Sequence, residues 1–328
     1  MNPLSATHSA SLARDPCKKL VLFHRDFRAF TGGHLKVWDY FNHVASSPAH
    51  EPRIAFSRES RWDSTNPWFG STSYITIWEP EKADVLFFAG TDWRVLPVSE
   101  RENFRNPVIN LLQHVRHGEG RSELRGFLKN RAIRICASDA IADAINATRE
   151  VNGPVFVIPY GIDLAVGSEQ SPSPQRRVDV LIGGLKAPEL ARGVYAAVAR
   201  DDRRVECLTD WIPRAEYLER LKEAKIAIVL PRPSEGFYLP AIEAMACGAI
   251  VVCPDCIGNR DFCHDGVNCF RPRHKLDKIV SAAAAALRQT EPERARMQEH
   301  ANATASQHSM EIERANFLRI LARAEELW

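Results

Sequence analysis

The chain has 328 residues, a hydrophobic fraction of 45%, a charged fraction of 26% and a formal net charge of +2. That length exceeds one ordinary core and suits two domains of about 150 residues each. So small a net charge gives no electrostatic footprint for nucleic acid or an anionic membrane.

No apolar run approaches the ~20 residues that cross a bilayer. The N-terminal stretch, rich in Ser and Ala, holds no apolar segment of signal-peptide length. A cytoplasmic protein is expected, touching the inner face of a membrane peripherally if at all. The eight cysteines include Cys253-Pro-Asp-Cys256, followed by Cys263, His264 and Cys269. Zinc needs four converging ligands, usually as two close pairs, and only the first pair has that spacing. No metal site is expected, and without an export signal no disulfide either.

In chain order, a polar tail of residues 1–16 is expected to be flexible. Lys19–His24 has the apolar run of a buried strand, and a loop with Thr31-Gly32-Gly33 leads into a helix through Leu35, Trp38, Tyr40, Phe41 and Val44. Strands are expected at Asp84–Ala89 and Pro107–Leu112, a helix over Glu119–Lys129, a strand at Ile133–Cys136, a helix from Asp139 to Thr148 and a strand at Val155–Ile158. Ser171-Pro-Ser-Pro174 reads as linker. The alternation resumes with a strand at Val178–Ile182, a helix near Glu189–Ala199, a strand at Val205–Leu208 and a helix near Arg214–Ala224. The remainder, rich in Ala, Glu and Arg, suits helices, the last over Ile312–Leu327. Strands alternating with helices favour parallel sheets with crossover connections.

The most informative stretch is Pro231-Arg-Pro-Ser-Glu235-Gly-Phe-Tyr-Leu-Pro-Ala-Ile-Glu243-Ala-Met-Ala-Cys-Gly248. A β-branched run, Ile226–Leu230, precedes it, and Ile250–Cys253 begins another strand. Pro240 suits the first turn of a helix and Gly248 its end. Glu235 then lies in the loop at a strand's carboxyl end, where ligands bind in open α/β sheets. Glu243 is expected in the first helical turn, beside free N–H groups that attract a phosphate. A carboxylate there can accept two hydrogen bonds from a ribose diol, while backbone amides of Glu235–Leu239 face a diphosphate. Taken singly, Glu243 reads better as a favourable helix charge and Glu235 as a solvated loop residue. Together in this context they suggest a nucleotide-sugar site.

The segment resembles the Glu-x7-Glu signature of retaining glycosyltransferases with two Rossmann-like domains (the GT-B fold), in particular the family-four, or group 1, glycosyltransferases. The usual pattern is Glu-Gly-Phe-Gly-Leu-Pro and then Glu-Ala-Met-Ala-Cys-Gly; this chain departs from it at Tyr238. Pro159-Tyr-Gly-Ile-Asp163 resembles that family's joint between domains, with Tyr160 in place of Asn. The resemblance implies an α/β fold whose two parallel sheets face a central cleft. It divides the chain into an acceptor domain (17–163), a linker (164–176), a nucleotide-sugar domain (177–308) and a terminal helix (309–328) crossing back to the first domain.

It also implies roles for residues. Glu235 would orient the donor sugar, Glu243 would bind the ribose, and Gly236, Phe237, Tyr238 and Leu239 would line the donor. Gly32 and Gly33 would face the donor diphosphate and the acceptor, with His34 directly after them as a candidate acceptor contact. His114 would contact the reacting edge of the sugar, with His117 as its alternate; an imidazole can donate one hydrogen bond while accepting another. Relatives carry Gly-Arg-Leu-x-x-x-Lys after the first strand of the second domain, where this chain has Gly183-Gly184-Leu185-Lys186-Ala-Pro-Glu189. Lys186 and Arg192 are the substitutes for that clamp, with Arg232 and Arg260 behind them.

The expected activity is retaining transfer of a hexose-type sugar from a nucleoside-diphosphate-sugar to a glycan, lipid-linked or small-molecule hydroxyl acceptor. No Asp-x-Asp occurs, so no obligatory metal or other cofactor is expected, nor any nucleic-acid partner. The alternatives are a phosphorylase or epimerase of the same fold, or a non-catalytic nucleotide-sugar-binding module. The aromatic-rich segment Arg61–Gly70 is open to an acceptor role or to packing.

Overall fold

The computed structural model describes residues 15–101, 104–164 and 176–328. Residues 1–14 of the expected tail, and residues 165–175 of the expected linker with Ser171–Pro174, lie outside the described residues. The chain divides into two compact units, Met1–Pro159 with Glu313–Trp328, and Tyr160–Ile312.

The first unit is built on a six-stranded parallel sheet in the order β2-β1-β3-β4-β5-β6. Its strands are β1 (Lys19–Arg25), β2 (His50–Phe56), β3 (Val85–Ala89), β4 (Val108–Leu112), β5 (Ile133–Cys136) and β6 (Val155–Val157). β3 and β4 are buried along their whole length, as expected for a parallel strand covered on both faces. β2 carries no clear apolar run. Pro52 interrupts it, and proline is tolerated because β2 is an edge strand of the six-stranded sheet.

The helix Gly32–Ala45 buries Val37, Tyr40, Phe41 and Val44. Trp68, from the aromatic-rich segment, is fully buried and packs edge-on against Trp38 and Phe41, which assigns that tryptophan to the core.

The helix expected over Glu119–Lys129 is instead three short turns, Val115–Gly118, Glu123–Gly126 and Phe127–Lys129. The cause is Arg134, wholly buried on β5. Its guanidinium donates to Phe127 O at 3.0 Å, Leu128 O at 3.1 Å and Asn110 Oδ1 at 2.5 Å, and also to Asn130 O. Carbonyls that would continue a helix close around a buried cation. The terminal helix likewise breaks, into Met310–Ala322 and Ala324–Leu327. Within the first unit Phe317 packs on Tyr40, ring centroids 4.8 Å apart, and Glu313 meets Lys36 at 2.6 Å.

The second unit holds a four-stranded parallel sheet in the order β10-β9-β7-β8, made of β7 (Val178–Gly183), β8 (Val205–Leu208), β9 (Ala224–Val229) and β10 (Ile250–Val252). Its core joins Val180, Ile182, Ile226 and Ile228 to Ala191 and Val194 of helix Pro188–Val198 and to Ile279 and Ala283 of helix Leu276–Arg288. Helix Leu239–Ala246 packs with Arg214–Glu223 and Glu291–Gln307. Cys253, Cys256, Cys263 and Cys269 are buried thiols. Hydrogen bonds to Cys253 and Cys269, together with burial, raise the Cys263 thiol well above its ordinary range. Among the described residues no group of three or more His, Cys, Asp or Glu is placed to hold a metal ion. No described helix is long and apolar enough to cross a membrane.

Candidate functional site

In each sheet the chain leaves the first strand to one side and later returns on the other. That creates a topological switch point between β7 and β9 in the second unit and between β1 and β3 in the first. Crevices at the carboxyl ends of such strand pairs are the ligand sites of open α/β sheets.

At the β7–β9 switch point Lys186 Nζ lies 3.4 Å from Glu235 Oε1, the lysine following β7 and the glutamate following β9. Arg232 Nε donates to Lys186 O at 3.4 Å, joining the two loops. Arg192 is not part of this group; it pairs with Glu189 on an exposed helix face. Gly184 explains the missing arginine, because a Cβ there would lie 2.2 Å from Ala191 Cβ. The helix Pro188–Val198 presses on the end of β7, and only glycine admits that approach. Arg260 is bound to Asp255, with Nη2 to Oδ2 at 2.7 Å.

The signature helix spans Leu239–Ala246 with Tyr238 as its N-cap. Glu243 is therefore its fifth residue, in the second turn and not the first. Its carboxylate is buried, with Oε1 2.6 Å from Arg214 Nη1. Sequence pattern alone did not point to Arg214; it begins the helix after β8, the neighbour of β7. Burial and the nearby Glu243 charge raise the Tyr217 hydroxyl well above its ordinary range, so it stays neutral beside that pair.

Two of the amides expected to face a diphosphate are already committed: Glu235 N donates to Arg232 O at 3.1 Å and Tyr238 N to Gly258 O at 3.0 Å. Gly236 is buried behind them. Phe237 packs against Tyr160 and Phe262, centroids 5.3 and 5.2 Å away. Gly258 is a second residue without an earlier signal. It abuts the backbone of Glu235, Gly236 and Phe237, and a Cβ on it would lie 2.5–2.7 Å from their atoms.

At the β1–β3 switch point Gly32 and Gly33 are the first helical residues, not a loop. Thr31 caps them by accepting from His34 N at 3.3 Å. Neither has a positive φ, so conformational freedom does not explain the pair. Space explains only the second: a Cβ on Gly33 would crowd Gln113 Oε1 at 3.0 Å, whereas one on Gly32 would meet nothing within 4 Å. Amides of a first turn lack intrahelical partners and suit an anion.

His114 follows β4 and caps the next turn, Nδ1 accepting from Arg116 N at 3.1 Å. That leaves the ring proton on Nε2. His117 is buried, and burial with the Arg134 charge pushes its pKa down to about 3. It is a neutral core residue, leaving His114 as the accessible histidine of the two.

Comparison with known proteins follows the geometry. Residues 200–304 match the family model for glycosyl transferases group 1. No curated protein sequence matches significantly. Among solved structures the chain is similar to HepE of Anabaena in complex with UDP-glucose, at 15% identity and a TM-score of 0.74, covering 92% of this chain and 99% of that one. It is similar to the sucrose-phosphate synthase of Thermosynechococcus elongatus, at 13% identity and a TM-score of 0.68, covering 93% and 99%. A UDP-forming α,α-trehalose-phosphate synthase from Burkholderia vietnamiensis gives 12% identity, a TM-score of 0.63 and coverage of 93% and 99%. Identities this low speak to fold rather than to substrate. The chain thus has the GT-B fold of two Rossmann-like units, and its residues 200–304 match the group 1 glycosyl transferase model.

Proposed function

We propose that this protein transfers a sugar from a nucleoside-diphosphate-sugar to a hydroxyl acceptor with retention of configuration. The observation that carries the proposal is the β7–β9 switch point, where Lys186 and Glu235 meet at 3.4 Å beside a helix whose buried Glu243 is gripped by Arg214. Glu235 would orient the donor sugar. Glu243, with one oxygen on Arg214, would bind the ribose diol. Lys186 would offset charge on the departing diphosphate, and in the first unit the first-turn amides of Gly32 and Gly33 would suit a phosphate. His114 would contact the reacting edge of the sugar. Retention would follow from same-face attack, the acceptor hydroxyl giving its proton to the leaving phosphate, with no covalent nucleophile. Because HepE was solved with UDP-glucose, UDP-sugars are the first donors to test.

Glu243→Ala is expected to weaken donor and free nucleotide alike by about 1–3 kcal/mol, roughly tenfold or more. Isothermal titration with UDP and a UDP-sugar checks this, and unchanged nucleotide affinity in a folded variant removes the ribose assignment. Glu235→Gln should leave free nucleotide affinity intact and lower turnover.

The charge at the leaving group is supplied by protein groups in this scheme, so EDTA should leave transfer nearly unchanged. Lys186→Ala should slow it on the order of tenfold to a hundredfold. Activity lost to EDTA and restored by magnesium or manganese sinks the metal-free scheme. Full activity in Lys186→Ala moves the clamp to Arg232. The glycine at position 184 also favours a second function, nucleotide-sugar binding without turnover. Donor-dependent heat stabilisation with no transfer to any acceptor would support it.

A further inference from the structure

The β1–β3 switch point is filled by a buried polar relay. Arg25 ends β1, Asp92 follows β3, and His34 lies in the first turn of the helix after β1. Arg25 Nη1 donates to Asp92 Oδ2 at 2.7 Å, and that oxygen also accepts from Ala89 N at 2.8 Å. Arg25 Nη2 is 2.8 Å from His34 Nδ1. All three side chains are more than nine-tenths buried.

A guanidinium only donates and keeps its protons in proteins. His34 Nδ1 must therefore accept, and the ring proton sits on Nε2. That nitrogen has no hydrogen-bond partner among the described residues, and it is not among the fully enclosed polar atoms. It is an unused donor that solvent reaches at the ligand end of the sheet.

We infer that His34 Nε2–H receives an uncharged hydroxyl of the acceptor, with Arg25 and Asp92 as the positioning residues that fix its tautomer. This rests on the glycosyl-transfer proposal for what the acceptor is, but the relay itself does not. Asp92 cancels the Arg25 charge and His34 is neutral, so the relay itself offers no net positive charge to a phosphate. His34 cannot serve as the base either, because its only basic nitrogen is occupied by Arg25.

The charges around the ring agree. Burial, then Arg25, pushes the His34 pKa down to about 4, against weaker opposing pulls from Asp92 and Asp26. His24, with Nδ1 4.0 Å from Asp92 Oδ1, and the Phe27 ring, its centroid 4.8 Å from the imidazole, complete the surroundings. The donor should thus be constant from pH 5 to 8, outside the range where histidines usually switch.

The test is 15N NMR of the full chain labelled at histidine, in which acceptor-type and N–H-type ring nitrogens are resolved. His34 should show unprotonated Nδ1 and protonated Nε2 from pH 5 to 8. Millimolar glucose, galactose, mannose and N-acetylglucosamine are the probes, with glucose 6-phosphate as the charged control. At least one neutral sugar should shift Nε2–H, and glucose 6-phosphate should shift it no further than glucose does. His34→Gln, which keeps a donor, should hold the response of the remaining site resonances within about threefold, and His34→Leu should lose it tenfold or more. Asp92→Asn, which uncovers the Arg25 charge, should reverse the preference toward glucose 6-phosphate; should that variant not fold, the His34 pair carries the test. A protonated Nδ1, no response to any neutral sugar, or a larger Nε2–H shift with glucose 6-phosphate than with every neutral sugar overturns the inference. Loss of nucleotide binding has no bearing on these spectra; it would sink the transfer proposal alone.

Discussion

Lys36→Met is expected to destabilise the first unit by about 3–5 kcal/mol, the usual result of removing one partner from a buried ion pair. Lys36 and Glu313 are each 1% exposed, and Lys36 Nζ lies 2.6 Å from Glu313 Oε2 and 2.9 Å from Asp39 Oδ2. Without the ammonium, the Glu313 carboxylate keeps His43 Nε2 at 3.5 Å. In a unit of this size such a loss should lower the melting temperature by roughly 10 °C.

The pH dependence follows from the carboxyl. Burial alone would raise its pKa, but Lys36 and His43 outweigh burial and hold it below the ordinary carboxylate value. A lowered folded-state pKa contributes stability above the unfolded value that is lost as pH falls through the folded one. The gap between wild type and variant should accordingly shrink in acid. Lys36→Met with Glu313→Leu should recover most of the loss, since apolar replacement of a whole buried pair is often neutral. Thermal unfolding of the three proteins at two pH values decides it; a single-variant cost under about 1 kcal/mol would mean that the pair is not holding the terminal helix.

The strands that the sequence made legible were those buried on both faces. β3 is a continuous apolar run and β4 is apolar but for Asn110, both buried along their whole length, whereas β2, with Pro52 and Arg53 inside it, carries no such mark. The broken helix at 119–129 was illegible for a different reason: its carbonyls answer to Arg134, a residue further along the chain. At the site, single-segment chemistry was readable and cross-segment chemistry was not. Glu235 and Glu243 stand out within one short stretch. Their partners, Lys186 and Arg214, arrive from the ends of other strands, and spacing in sequence says nothing of a 2.6 Å contact across 29 residues. Gly184 read as a lost arginine; the fold shows a glycine required by helix packing. Arg25 and Asp92 gave no signal at all, being one arginine and one aspartate among many until the β1–β3 order brings them together.

Gly258→Ala should be among the most damaging methyls in the second unit. Ile257 N donates to Pro233 O at 3.1 Å and Gly258 O accepts from Tyr238 N at 3.0 Å, so residues 257–258 clasp the loop carrying Glu235 from both ends. Asn259, fully buried, fixes the clasp by donating to Pro254 O at 2.9 Å and accepting from Cys256 N at 3.1 Å. An alanine Cβ would stand 2.5 Å from Phe237 N, 2.6 Å from Gly236 C and 2.7 Å from Glu235 O. All three are backbone atoms, so no rotamer relieves the clash and the donor loop must move by about 1 Å. Overpacking of this kind costs about 1–3 kcal/mol of stability, and a 1 Å misplacement near a reacting centre costs on the order of a hundredfold in rate. Gly32→Ala is the matched comparison, because its Cβ meets nothing within 4 Å and alanine favours the helix. It should keep or gain stability, so any activity it loses reports a ligand in that space. Melting temperature and donor affinity measured on both variants separate the two effects. A Gly258→Ala protein that binds donor within about twofold of wild type would show that the Glu235 loop is not positioned by its neighbour.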